Sequence, residues 1–420
     1  IAQCLVGSEM CIRDRFNTGA WIGSTKPIHN YTDTKERNSM KRALQRLSQF
    51  THKLDKPLFI AVTLCASLSV VLIYSIYYNH VVSSVGASYY QTQLAAMLIG
   101  SVGCLTLTAL DYHKIAKLWF LYMPLALVLV GLTFTSLGVR REGADDVAWL
   151  NLGFTTIQPS EFLKLAFILS FSYHLSRDEE NINKPLHLLL LCIHGGIPTL
   201  LIFLQGDYGT AVVFIAMFAV MLFSMGLKLR YILAAFALAG GAGVVLWKFV
   251  LKSVHKNRIL VLLHPGTDPL GLEYQQDLGL ASLGSGQVFG KGLFGAQEYV
   301  TVPELHNDFI FAWIGQVFGF VGTVAVVAVL AYICLKIFAD SRSAKDTLGK
   351  LICLGVFAML FAHCFMNIGM VLKVMPVIGI PLPFFSAGGT AMLSMYLALG
   401  LVLSVHAHNE KKYRVFYDAE

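Results

Sequence analysis

PELHNDFIFAWIGQVFGFVGTVAVVAVLAYICLK, residues 303–336, is the stretch on which the fold turns. A polar run ends at Asp308, and no charge follows until Lys336. An uncharged apolar run of that length exceeds the roughly 20 residues needed to cross a bilayer as a helix. The same grammar recurs along the chain. Charged residues make up only 14% of it, hydrophobic residues 56%, and the mean hydropathy is +0.63. A soluble chain carries nearer a quarter of its residues as charges, so the expectation is an all-α polytopic membrane protein. A β-barrel is excluded, because its strands alternate over about ten residues whereas these runs are continuous.

Working outward, the apolar runs number about ten, near 57–78, 89–110, 118–138, 159–176, 186–204, 209–226, 231–250, 312–336, 348–371 and 384–405. An even count puts both termini on one side. Lys114, Lys117, Arg177, Lys184, Lys228, Arg230, Lys336, Arg342, Lys345 and Lys350 share the connections on that side, which makes it cytoplasmic. The net charge of +7 is explained by this bias and does not call for a nucleic acid. The expected layout is a cytoplasmic N-terminal tail over 1–56, a membrane domain over 57–406 and a cytoplasmic tail over 407–420. An external loop spans 251–308, between the seventh and eighth helices. The opening IAQCLVGSEMCIRDR has no signal-peptide core; its style differs from the rest, and Met40 reads as a start. Cys65, Cys104, Cys192, Cys334, Cys353 and Cys364 lie in apolar runs without metal-type spacing and read as small packing residues.

The unusual polar stretches gather on the external side: the long loop, the connection 139–158, the turn Gln205–Tyr208 and KVMPVIGIPLP at 373–383. Within them stand the residues able to carry chemistry. Asp308 suits a general base at the outer surface, and equally the N-cap of a helix beginning at Phe309. Glu161 and Lys164, in QPSEFLK, share one helical face three residues apart. Charges inside a span face either a polar cavity or each other. Pro159 fits a first helical turn, with Gln158 or Ser160 near the cap. Asp207 reads first as a cap. Lys291, between glycines in GSGQVFGKG, and Arg258 suit a phosphate, or are solvated loop charges. Ser386, Gly388 and Gly389 open the last span, where small residues permit close packing. His363 and Asn367 read as a buried hydrogen-bonded pair. His406 and His408 lack further ligands for a metal.

At these residues the chain resembles the SEDS (shape, elongation, division, sporulation) family, the RodA/FtsW membrane glycosyltransferases. The carriers are WLNLGFTTIQPSEFLKLA, GDYGTAVVF, DPLGLEYQQ through LASLGSGQVFGKG, PELHNDFIFAWIG, and NIGMVLKVMPVIGIPLPFFSAGGTAML, in family order over most of the chain after residue 57. The resemblance implies polymerisation of lipid II on the outer face of the bacterial cytoplasmic membrane. It places the essential acid at Asp308, after His306 and Asn307, and the charged pair at Glu161 and Lys164. PVIGIPLP is more similar to the elongation branch than to the division branch's PTKGLTLP. Four departures mark a divergent paralogue: Ala148 before Trp149, Ala387 in place of a Tyr, Gly206 within Gln205–Asp207, and Gln316 where an acid is common.

The resemblance further implies a class B penicillin-binding protein as partner, lipid II and its growing glycan strand as substrates, and no organic cofactor. The expected site is Asp308 as base, with Gln158, Glu161, Lys164, Asp207, Arg258, Lys291, His306 and Ser386 toward substrate, and a divalent cation such as Mg2+ or Mn2+ at the diphosphate. Two other classes stay open. A flippase or transporter of a polyprenyl-linked precursor would use the intramembrane pair and broken spans. A scaffold for a transpeptidase would tolerate the departures and the loss of Asp308.

Overall fold

The structure is a computed structural model, and it describes residues 52–409 apart from 141–145, 154, 252, 265, 267–270 and 296–297. The expectations for residues 1–51 and for the tail beyond 409 lie outside the described residues. The described residues form one compact unit.

Helices lie over all ten expected apolar runs. They are α1 (Lys56–Tyr78), α2 (Ala87–Ala109), the short α3 (Tyr112–Lys117), α4 (Trp119–Leu132), α5 (Pro159–Arg177), α6 (Pro185–Gln205), α7 (Tyr208–Phe223) and α8 (Leu229–Val245). Then follow α9 (Ser253–Leu263), α10 (Leu272–Ser285), α11 (Ile310–Ser343), α12 (Thr347–Val371) and α13 (Gly389–His408). One turn of π-helix, Leu246–Val250, extends α8. Among the described residues, seven helices are long and apolar enough to cross a membrane: α1, α2, α6, α8 with its extension, α11, α12 and α13. α4 and α7 are apolar but have only 14 and 16 residues, and α5 carries buried polar groups along its length. The protein is thus a multi-pass helical membrane protein.

Local chemistry sets the helix ends. Asp55 accepts from Leu58 N at 3.3 Å, Asp111 from His113 N at 3.0 Å, Asp207 from Thr210 N at 2.9 Å and Asp346 from Gly349 N at 2.8 Å, so four of the described helices open on a capping carboxylate. Between α4 and α5 a small antiparallel sheet, β1 (Gly138–Val139), β2 (Trp149–Asn151) and β3 (Thr156–Ile157), pairs Val139 with Trp149 and Leu150 with Ile157. It leads directly into Pro159 at the first turn of α5.

α12 and α13 are the most buried of the seven membrane-length helices. Small residues let the backbones close up there: a Cβ on Gly400 would stand 2.8 Å from the carbonyl of Cys104. The opposite extreme is α8, where no residue is buried. Its exposed Leu233, Phe236 and Leu238 are the surface expected to meet lipid.

The stretch expected as a long external loop is largely structured, with α9 and α10 inside it. Its glycine-rich end serves α11. At Gly319 that helix breaks, with φ +66° and ψ −162°. The loop fills the break: Lys291 N and Gly292 N donate to the carbonyls of Gln316 and Val317, and the carbonyls of Gln287 and Val288 accept from Phe320 N and Val321 N. A Cβ on Gly290 would stand 2.3 Å from Val317 O, so glycine is needed where two backbones touch. The cysteines are mixed: Cys65, Cys104, Cys334 and Cys353 are buried, Cys364 is half-buried and Cys192 is exposed.

Candidate functional site

Asp308 sits at the end of a turn over 303–309. The helix begins at Ile310 with Phe309 at its N-cap position and no side-chain capping bond. The N-cap position therefore falls on Phe309, one residue after Asp308, and Asp308 itself is half-buried. The turn is fixed by three consecutive carbonyls. His306 O accepts from Ala387 N at 2.8 Å, Asn307 O from Ser386 Oγ at 2.6 Å, and Asp308 O from Asn367 Nδ2 at 2.7 Å. Ser386 also accepts from Leu382 N at 2.7 Å, so it is a brace between the turn and the start of the last helix. The His306 ring stands edge-on to Tyr89, centroids 4.7 Å apart. These bonds fix the backbone of the turn that carries the Asp308 carboxylate.

A second layer holds that brace. Gln93, buried in α2, donates to Ser69 Oγ at 2.9 Å and to Ser386 O at 3.0 Å, and accepts from Gly388 N at 3.0 Å. Neither Gln93 nor Ser69 was singled out from sequence. Gln93 carried a signal, being an amide amid apolar neighbours. Ser69 carried none, since serine is common in spans.

The charged pair lies deeper. Glu161 is 1% exposed and Lys164 0%. Lys164 Nζ stands 2.9 Å from Glu161 Oε1 and 2.9 Å from His363 Nε2. Ser394 donates to the other Glu161 oxygen at 2.6 Å. A buried ion pair needs such extra bonds to offset desolvation, and Ser394 was invisible in the sequence. His363 Nδ1 faces Pro381 O at 3.2 Å. Asn367 gives its second amide hydrogen to Ile380 O at 2.7 Å. His363 and Asn367 are thus not paired with each other in these bonds, as the sequence reading had it; each reaches across to the segment before the last helix.

That segment, Val377–Pro381, is where the site converges. Val377 O accepts from Arg258 Nη1 at 3.2 Å. Ile378 O is so near α7 that a Cβ on Gly209 would stand 2.7 Å from it. Gly379, with φ +65°, lies against the Asp308 carboxylate; its own Cβ would be 3.5 Å from Oδ2. Ile380 O and Pro381 O meet Asn367 and His363. Arg258, Asp308, Asn367 and His363 all bear on this one segment, and Lys164 bears on it through His363.

Gln158 and Asp207 form a neighbouring pair. Gln158 is the N-cap residue of α5, with no side-chain capping bond, and its Nε2 stands 3.4 Å from Asp207 Oδ2. Asp207 also caps α7. Burial, with the charge of Asp146 added, pushes the Asp207 carboxyl up to about 6. Lys291 turns elsewhere: its ammonium donates to Glu298 O at 2.9 Å. Gln316, one of the departures, accepts from Val300 N at 2.7 Å and from Ser285 Oγ at 3.0 Å, and so holds the same loop. Ala148 is buried beside the small sheet. At the far end of the bundle the further carboxylates expected to be missing around His406 are present. His406 Nδ1 stands 3.3 Å from Asp340 Oδ1 and 3.9 Å from Asp55 Oδ2, with the Lys336 ammonium bridging both acids.

Among the described residues, the oxygens around Asp308 do not make a metal cage. The carbonyls of 306–308 are engaged, and Glu304 Oε2 is held by Asn307 Nδ2 at 2.6 Å. Hard divalent cations need six or more oxygens, so a cation here would have to arrive with substrate oxygens.

Comparison with known proteins agrees with this architecture. The Cell cycle protein family model, covering FtsW, RodA and SpoVE, matches residues 55–411. The chain is similar to the peptidoglycan glycosyltransferase MrdB of Escherichia coli (strain K12), 33% identical over 297 residues, which is 70% of this chain and 79% of that protein. It is similar to stage V sporulation protein E of Bacillus subtilis (strain 168), 29% identical over 377 residues, 84% of this chain and 97% of that one. Among solved structures it matches a chain of a peptidoglycan synthase complex that coordinates polymerization and crosslinking, with TM-score 0.72 and 25% identity over 85% of this chain and 99% of that. The rod shape determining protein RodA of Thermus thermophilus matches with TM-score 0.62 and 24% identity, covering 85% of this chain and 98% of that, a likeness of fold. The chain therefore belongs to the FtsW/RodA/SpoVE family.

Proposed function

We propose that the protein is a peptidoglycan glycosyltransferase that polymerises lipid II into glycan strands. The observation that carries this reading is Asp308, on a turn fixed by three consecutive carbonyl bonds and with its carboxylate beside Gly379. The names of the relatives support the reaction class. In this reading ten spans place both termini in the cytoplasm and the Asp308 side at the outer face of the cytoplasmic membrane. The lipid tail stays in the bilayer while the sugars reach the rim.

The chemistry is a single inverting displacement. Asp308 takes the proton of an acceptor GlcNAc 4-hydroxyl as its oxygen attacks the anomeric carbon of the donor. The C1–O bond to the diphosphate breaks, and the α-linked donor becomes a β-1,4 bond. One base and positive charge at the leaving group suffice. Arg258, which reaches the converging segment from α9, is assigned to the diphosphate, with Lys291 of the glycine-rich loop as a second cation. A divalent cation is assigned to the diphosphate's own oxygens. A class B penicillin-binding protein is the proposed partner for crosslinking, supported by the synthase complex that the chain resembles.

The test is incubation of the purified protein and its transpeptidase partner with lipid II and Mg2+ or Mn2+. A polymer that muramidase cuts supports the reading. Lipid translocation in vesicles without polymer favours the transporter reading instead.

A further inference from the structure

The buried ion pair and Asp308 lie on different elements, yet they share a set of bonds in which the hydrogen placement is fixed. Pro381 O can only accept, so His363 Nδ1 carries the ring hydrogen. His363 Nε2 is then an acceptor, and Lys164 supplies its hydrogen at 2.9 Å. With Lys164 as an ammonium, the ring is therefore the neutral Nδ1–H tautomer. Glu161 balances that charge and is itself oriented by Ser394.

Asn367 is one turn further along α12. Both of its partners, Asp308 O and Ile380 O, are acceptors, so the amide orientation is also fixed. Its own Oδ1 has no hydrogen-bond partner although the residue is fully buried. The amide spends both donors on these two carbonyls and leaves its acceptor bare, an arrangement that only the two donated bonds can favour.

We propose that His363 and Asn367 are positioning residues, which transmit the Glu161–Lys164 pair to Asp308 through the carbonyls of Pro381 and Ile380. On this view the pair supports the base and does not touch substrate. The inference rests on the reading of Asp308 as base. The lever is Gly379: it lies against the Asp308 carboxylate on one side and is continuous with Ile380–Pro381 on the other. A general base must lie within hydrogen-bond reach of its proton, and a displacement near 1 Å costs about 100-fold in rate.

The experiment is steady-state lipid II polymerisation by the purified complex with its transpeptidase. His363→Leu is expected to lower kcat about 100-fold with KM for lipid II within about twofold. His363→Gln offers one acceptor and one donor and is expected to restore kcat to within about fivefold of wild type. Lys164→Met combined with His363→Leu is expected to be no slower than the slower single variant, because one chain is cut twice. Asn367→Leu repeats the kcat loss from the second bond. If His363→Leu does not fold, His363→Asn, too short to reach both partners, reads the same quantity. Retained kcat, a rise in KM of tenfold or more at constant kcat, or additive losses in the double variant would overturn the proposal. Asp308→Asn at wild-type kcat would instead remove the base reading itself. An inactive Asp308→Asn beside a fully active His363→Leu leaves the base standing and removes the positioning chain.

Discussion

The carbonyl of Asp308 accepts a 2.7 Å hydrogen bond from Asn367 Nδ2, while the Asp308 carboxylate lies against Gly379. Backbone and side chain of the same residue are thus gripped from α12 and from the segment that precedes the last helix. The acid is held by structure that reaches through the bundle, which has consequences for residues far from the rim.

Lys164→Met leaves Glu161 buried without its cation, and should destabilise the protein by about 3–5 kcal/mol. Pairing it with Glu161→Leu removes both charges. Melting in detergent is expected to recover in the double variant, while lipid II polymerisation stays low. Recovery of both together would mean that the pair serves stability alone.

Gln93→Leu removes two bonds to the Ser386–Gly388 segment and a third to Ser69, and leaves Gly388 N and Ser386 O without those partners. Leaving a buried backbone group unpaired costs about 1–3 kcal/mol. A lower melting temperature is expected, together with slower polymerisation, because Ser386 braces the turn that carries Asp308. A variant that melts lower yet polymerises at full rate would uncouple that brace from the site.

Gly319 occupies a backbone conformation open essentially to glycine alone, and a Cβ there would stand 2.4 Å from Gly290 N. Gly319→Ala should expel the loop 287–292 from the break in α11 and lower the melting temperature clearly. Gly131→Ala, where a Cβ meets nothing within 4 Å, is the control and should melt like wild type. Equal melting of the two variants would contradict the inserted-loop account.

Asp207 should make stability fall as pH rises. Its folded carboxyl is pushed up to about 6, against an ordinary value of about 3.9. Between those values the folded protein keeps a proton that the unfolded chain has lost. The stabilisation from this group is present below pH 4 and is lost through pH 6. Asn also caps well, so Asp207→Asn should keep the cap and flatten this part of the melting-versus-pH curve between pH 4 and 7. An unchanged slope would show that Asp207 is not its source.

Some of this architecture was legible because its signals are local. Apolar runs announce helices wherever they occur, and a helix lies over each expected run. Asp308 stood out as a charge at the boundary between a polar and an apolar run, and Glu161 with Lys164 as charges inside one. What stayed hidden is non-local. Ser394 matters only because it faces Glu161, and a serine in an apolar helix gives no sign of its neighbour. The glycines around Lys291 looked suited to a phosphate, yet Gly290 is needed where the loop backbone meets the broken α11. The helical turns of α9 and α10 were concealed within a polar stretch read as loop, because neither is strongly one-sided in its apolar residues.

The most direct test of the central claim is glycan polymerisation by purified wild type and Asp308→Ala, each with lipid II, a divalent cation and the cognate transpeptidase, and each shown to melt as a folded complex. The account predicts polymer from the wild type and none from the variant. Polymer at a comparable rate from Asp308→Ala would contradict it.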